Sequence, residues 1–280
     1  MFRQNALDVH VNNGRGDVVA LHYDCPLTGT KTTRTYSQLL QEVSTFAGGL
    51  QKLGVEKGGR VVIYMPAVLE ATVAMLACAR LGAVHSHKGI VDYGPLLNGV
   101  LKRSTWKPSH VVMLQRDLCL FEMAKGRDID WRDAMATGRP IDARPVLATD
   151  PLYLLYTSGT TGHPKGVVRD NGGHAVALKW AMRNVLDIAP DDTFFAASDM
   201  GWTVGHSLGV YGPLIHGCTS ILYAGKTVRT PNASAYWRLI TEYGIKSMFT
   251  APTALRAIRR EDPEGLLIKH LREDIRKTLK

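Results

Sequence analysis

Short β-rich apolar runs alternate along the chain with segments whose apolar residues recur at helical spacing. Residues 61–66 (VVIYMP) read as a strand stopped by proline, and 67–81 (AVLEATVAMLACARL) as a helix rich in alanine and leucine that Gly82 ends. A further strand-like run covers 110–114. Residues 126–145, charged and with little periodicity, read as a connecting excursion. From Asp150 the pattern is regular: strand-like 152–156, 194–197, 220–223 and 245–249 alternate with helical segments. The helix before the last of these is the clearest. Thr230 can cap it, Pro231 suits its first turn, Tyr236, Leu239, Ile240 and Tyr243 fall at i, i+3, i+4 and i+7, and Gly244 ends it. In the tail, Leu267, Leu271, Ile275 and Leu279 recur every four residues, which predicts a weak helix whose narrow apolar stripe would cover an exposed sheet edge. Strands separated by helices predict an α/β fold of parallel-rich sheets with helices on both faces. In such sheets ligands bind beyond the carboxyl ends of the strands.

Composition narrows this picture. At 280 residues the chain is expected to form one large domain or two sheet lobes, divided at about 1–149 and 150–280. An apolar share of 45% and a charged share of 21% exclude disorder, collagen and coiled coil. The net charge of +9 favours anionic small molecules; without a reading motif or a block of five like charges, no nucleic-acid partner is expected. Cys25, Cys78, Cys119 and Cys218 are scattered, so neither a disulfide framework nor a metal site is signalled, and reduced thiols point to an intracellular compartment. The longest apolar stretch, 61–79, is interrupted by Pro66 and Glu70, so no membrane span is predicted. The first residues lack an apolar secretory core, and the chain is expected not to be secreted.

The chemistry concentrates after the strand at 152–156. Thr157, Ser158, Gly159, Thr160, Thr161, Gly162, His163, Pro164, Lys165 and Gly166 combine glycines that let backbone N–H groups close on an anion, four hydroxyls, and a lysine as mobile positive charge. That inventory suits a polyphosphate, and a plain flexible linker would not need Pro164 and Lys165 at a strand's end. It is neither the common P-loop nor a G-x-G-x-x-G dinucleotide turn.

The run DPLYLLYTSGTTGHPKG (150–166) resembles the signature of adenylate-forming enzymes, specifically the short-chain acyl-CoA synthetases of the acetyl- and propionyl-CoA synthetase family. ASDMGWTVGHS (197–207), VYGPL (210–214), FTAPTALRAI (249–258), VIYMP (62–66) and LACARLGAVHS (76–86) match the same family in order and spacing. The resemblance implies a partial N-terminal adenylation domain and a two-step ligase reaction. A carboxylate attacks the α-phosphate of MgATP to give an acyl-adenylate and pyrophosphate, and the thiol of CoA then takes the acyl group. By carry-over, residues 157–166 would hold the β- and γ-phosphates, with Lys165 countering charge on the leaving pyrophosphate. Trp202, Thr203 and Val204 would line the acyl pocket, although a lone tryptophan also reads as core. No residue is singled out as catalytic. The compartment implied is cytoplasm or mitochondrial matrix.

Two departures from the family pattern and one rival motif qualify the expectation. Near 87–98 a strand, a helix and part of the CoA site are expected to be deleted, because His87-Lys88-Gly89 runs directly into a later part of the pattern. The pattern beyond Lys280, including a small C-terminal domain, is not in this sequence, and a sheet cut there would leave an edge open to association. The alternative is then an inactive ATP-binding or interaction fragment. Gly205-His206-Ser207-Leu208-Gly209 also satisfies G-x-S-x-G, the nucleophile elbow of α/β-hydrolases, with Ser207 as nucleophile. Its partners should follow in the order acid, then histidine; no acid stands between Ser207 and His216, which leaves Asp262 with His270. Gly172-Gly173-His174 reverses the oxyanion segment that motif requires.

Overall fold

The computed structural model describes residues 4–87, 94–117, 120–157 and 162–271. Along the chain run β1 (Val19–Cys25), β2 (Thr30–Thr35), α1 (Tyr36–Lys52), β3 (Arg60–Ile63), α2 (Leu69–Leu81), β4 (Val84–His87), α3 (Gly94–Arg103), β5 (Val111–Met113), β6 (Asp128–Asp130) and α4 (Trp131–Thr137). They are followed by β7 (Pro151–Thr157), β8 (Lys165–Asp170), α5 (Gly172–Asn184), β9 (Thr193–Ala197) and a π-helical turn, Gly205–Tyr211, that continues into α6 (Gly212–His216). β10 (Thr219–Tyr223), α7 (Ala235–Glu242), β11 (Ile245–Thr250) and α8 (Pro252–Glu261) complete the order. One sheet has the order β11-β9-β10-β1-β2, parallel except for β2. A second has the order β3-β4-β7-β8, parallel except for β8, and β5 pairs separately with β6. The chain is α/β with parallel-rich sheets, as its alternation of runs predicts.

The division into lobes is not the one expected at residue 149. One compact unit comprises Met1–Leu39, Ala67–Leu69 and Gly172–Lys280 and holds the five-stranded sheet; the other comprises Leu40–Pro66 and Glu70–Asn171 and holds the four-stranded sheet. Strand pairing decides this. β1, from the start of the chain, lies parallel beside β10, with Leu21 opposite Ser220, and β7 joins β4, with Tyr153 opposite His85. Such pairings between distant segments leave no mark in local periodicity.

In the unit with the five-stranded sheet, β9 is buried on both faces. Phe195 packs with Ile221, Tyr236, Leu239 and Ile258, while its neighbour Phe194 packs with Met182, Ile188 and Cys218. Successive side chains of a strand point to opposite faces, so α7 and α8 cover one side of this sheet and α5 the other. The α7 periodicity is borne out, with Tyr236 and Leu239 buried and Ile240 and Tyr243 half-buried against the same cluster. Its start is corrected. The helix begins at Ala235, because Asn232 Oδ1 accepts hydrogen bonds from the N–H (2.9 Å) and hydroxyl (2.6 Å) of Ser234 and so holds the chain in a turn. The tail is also corrected: a short 3₁₀ helix, Leu266–His270, gives way to extended Leu271 at ψ 144°, so the four-residue stripe does not continue as one α-helix. Ile275 and Leu279 lie outside the described residues.

In the other unit α2 is buried nearly all round, which its alanine-rich sequence allows, and Gly82 ends it at φ 71°. The predicted excursion 126–145 contains two ordered elements, β6 and α4. Trp131 of α4 stacks on Phe46 at 3.8 Å between ring centroids, and a Cβ at Gly49 would fall 2.3 Å from the Ala134 carbonyl oxygen. Close approach of these helices therefore requires glycine there.

Candidate functional site

The predicted phosphate and acyl segments belong to different compact units. On the phosphate side, β7 is buried at Leu152, Tyr153 and Leu155 but emerges at its carboxyl end, where Tyr156 is 64% exposed. This is the end at which parallel sheets receive ligands. The chain returns antiparallel in β8, with Thr157 opposite Lys165 and the Thr157 hydroxyl donating to the Lys165 carbonyl at 3.4 Å. Gly162 sits at φ 80°, in the left-handed region that admits glycine, and Lys165 and Gly166 are exposed. Ser158, Gly159, Thr160 and Thr161 lie outside the described residues.

The base of this hairpin is braced by Asp150, the first residue of the signature run, together with Lys57 and Asn171, which carry no motif signal. Asp150 Oδ2 accepts from the Leu147 N–H at 2.9 Å and pairs with Lys57 at 3.0 Å, and the Asn171 side chain donates to the Asp150 carbonyl at 2.9 Å. A hydroxyl, a left-handed glycine and an exposed ammonium at the strand end form a donor set that fits a phosphate chain.

On the acyl side, Trp202 is 68% exposed, so its reading as core does not hold. Thr203 and Val204 are half-buried. Asp199 shapes the approach: its Oδ1 accepts from the Gly201 N–H at 2.6 Å and its carbonyl from the Trp202 N–H at 3.1 Å. A Cβ at Gly205 would lie 2.1 Å from that same carbonyl oxygen, so the helix packs on this turn only with glycine there. His206 is buried, with Nδ1 3.3 Å from the Trp202 carbonyl.

The nucleophile-elbow reading of Ser207 fails on geometry. An elbow presents an exposed serine on a sharp strand-to-helix turn. Ser207 lies inside a helix, is 7% exposed, and faces an upstream histidine, with its Oγ 3.2 Å from His174 Nε2. His216 is occupied elsewhere, its Nε2 2.7 Å from the Ile188 carbonyl, and Asp262 accepts from the Leu266 and Leu267 N–H groups at 2.8 Å each. The His270 side chain lies outside the described residues. His174 was legible only as part of a reversed motif, because its partner is 33 residues away.

Cys25, Cys78 and Cys218 are buried free thiols, and burial pushes Cys78 and Cys218 up to about 12, which keeps both protonated; Cys119 lies outside the described residues. Among the described residues no group of His, Cys, Asp or Glu is arranged to hold a metal ion, and no helix is long and apolar enough to cross a membrane.

A family profile described as AMP-binding enzyme matches residues 7–88 and 96–279. The chain belongs to the AMP-binding enzyme family. It is 48% identical to an uncharacterised protein of Pseudomonas aeruginosa over 94% of its own residues and 47% of that protein. It is 46% identical to acyl-CoA synthetase short-chain family member 3, mitochondrial, of Homo sapiens (95% of this chain, 43% of the relative). To the acetyl-coenzyme A synthetase of Mycobacterium bovis it is 37% identical (96% and 47%). The chain thus spans about half the length of the curated relatives it matches. The human alignment runs over 297 positions and uses 95% of 280 residues, so roughly thirty positions of that relative have no counterpart here.

Proposed function

We propose that this chain serves an AMP-forming carboxylate:CoA ligase reaction on a short aliphatic acid such as propionate or acetate. In the first half-reaction a carboxylate oxygen bonds to the α-phosphorus of ATP as the bond to the β-phosphate oxygen breaks, releasing pyrophosphate. In the second the CoA sulfur bonds to the acyl carbon, its proton departs, and AMP leaves. The observation that carries the reading is Thr157 at the solvent-facing carboxyl end of β7 with the exposed Lys165 opposite it at the start of β8.

In this reading Lys165 neutralises charge growing on the departing pyrophosphate, Thr157 and the glycine-rich backbone orient the phosphates, and Trp202, Thr203 and Val204 set the room for the acyl chain. Mg²⁺ carried on the nucleotide would screen its phosphates. The relatives named as acyl-CoA and acetyl-CoA synthetases support the substrate class. One relative is named as mitochondrial and others are bacterial, which supports a compartment in the mitochondrial matrix or the cytoplasm.

A second reading rests on the family profile's interruption between residues 88 and 96 and the roughly thirty unmatched positions. Loss of a strand, a helix and part of the CoA site near 87–98 would leave a nucleotide-binding or interaction fragment, with association through an edge strand such as β11.

Carboxylate-dependent ATP–pyrophosphate exchange by the purified chain separates the two. Exchange that depends on acetate, propionate or butyrate, and that is lost in Lys165→Ala, is expected for the ligase reading. Folded protein that shows no exchange overturns it and leaves the fragment reading.

A further inference from the structure

We infer that His174 and Ser207 form a positioning pair that sets the depth of the acyl pocket from behind, an assignment that rests on the ligase reading above. Trp202 and Thr203 lead into the helix that passes into π geometry over Gly205–Tyr211, where the Gly212 N–H reaches back five residues to the Ser207 carbonyl. Ser207 falls one turn beyond Thr203 on this helix, whose start is tied to Trp202 by the His206 N–H donating to the Trp202 carbonyl at 3.1 Å.

Two backbone contacts bracket it. Gly205 sits against the Asp199 carbonyl, and Gly212 sits against the Met182 sulfur, 3.3 Å from where a Cβ would stand. Between these contacts the Ser207 hydroxyl meets His174 Nε2 at 3.2 Å. His174 is the third residue of α5, whose Ala175, Leu178 and Met182 are buried, with Met182 in the cluster around Phe194 and Cys218. The imidazole is therefore carried by a helix fixed in the core. The Ser207 hydrogen bond passes that rigidity to the turn that presents Trp202, Thr203 and Val204. Neither residue contacts the reacting atoms in this scheme; each acts through the acyl segment.

Because the pair and residues 202–204 lie in one compact unit and Thr157 and Lys165 in the other, the effect belongs to the carboxylate and not to ATP. In the exchange assay Ser207→Ala and His174→Ala are each expected to raise the KM for the carboxylate about five- to tenfold with the KM for ATP unchanged. The double variant should be no worse than either single one, and Ser207→Thr, which keeps the hydroxyl, should restore the wild-type value. A parallel readout needs no turnover. The five tryptophans are labelled as 5-fluorotryptophan and the ¹⁹F resonance of Trp202 is assigned with Trp202→Phe. That resonance should shift in Ser207→Ala and His174→Ala, while those of Trp106, Trp131, Trp180 and Trp237 stay in place.

An unmoved Trp202 signal, five signals moving together, or equal rises in both KM values would overturn the pair. Should His174→Ala not fold, Ser207→Ala, which removes a single oxygen atom, decides alone. No exchange in wild type together with a selective Trp202 shift sinks the ligase reading and leaves the pair standing.

Discussion

Replacing Arg238 by leucine tests how much of the five-stranded sheet unit depends on one buried charge. Asp24 lies on β1 with its side chain 2% exposed, and Arg238 of α7 grips it twice, Nη1 to Oδ2 and Nη2 to Oδ1, both at 2.9 Å. Tyr243 donates its hydroxyl to Oδ2 at 2.8 Å, and Arg238 also reaches Glu242 at 2.7 Å. The Asp24 carboxylate holds the guanidinium well above its ordinary range. Leucine keeps most of the aliphatic contact but leaves a buried carboxylate with only the tyrosine as counterpart among these groups. Removing one partner of a buried pair costs about 3–5 kcal/mol. For a unit of roughly 150 residues, where each kcal/mol moves the melting point about 2–4 °C, the loss is about 6–20 °C. Thermal melts followed by circular dichroism at pH 7 measure it. Asp24→Asn combined with Arg238→Leu should recover part of the loss, since no uncompensated charge is then buried. A drop of less than about 3 °C in Arg238→Leu, or a double variant no more stable than the single one, would show that Asp24 is solvated and refute the reasoning.

Two further outcomes follow from the same unit. Burial, first of all, holds His10, His22 and His216 below the ordinary imidazole value of 6.5. Folding therefore favours their neutral forms: the stability is complete above pH 6.5 and is lost as pH falls from there through the folded values, so the Tm should decline on acidification and decline less steeply in His216→Gln. Gly205→Ala places a Cβ 2.1 Å from the Asp199 carbonyl, which should lower stability by about 1–3 kcal/mol, whereas Gly209→Ala, with open space around it and no left-handed backbone, should lose less; urea titration compares them.

Several elements were legible from the chain because their cause is local. β9, β10 and β11 are short apolar runs, and the structure places each within a residue or so of the run that announces it. α7 is visible because its buried residues sit at helical spacing. α1 has the same spacing in Tyr36, Leu39, Val43, Phe46 and Leu50, yet carries Gly48 and Gly49, which disfavour a helix interior. Those glycines make sense only once the Arg139 and Ala134 carbonyls are seen pressed against them. β8 is obscured for a related reason: its residues are mostly exposed, so no alternation marks it, and it exists because it closes a hairpin on β7.

By itself, then, the sequence determined the fold class, the family and a glycine–hydroxyl–lysine segment following a strand, because strand runs, helical spacing and a contiguous motif are properties of neighbouring residues. The tertiary structure alone decided the rest. It set the first strand beside the tenth and so redrew the lobes. It exposed Trp202, turned Ser207 from a candidate nucleophile into a buried helical residue, and supplied His174 as its partner. Each of these depends on a contact between segments far apart in the chain, which folding makes and a one-dimensional pattern does not encode.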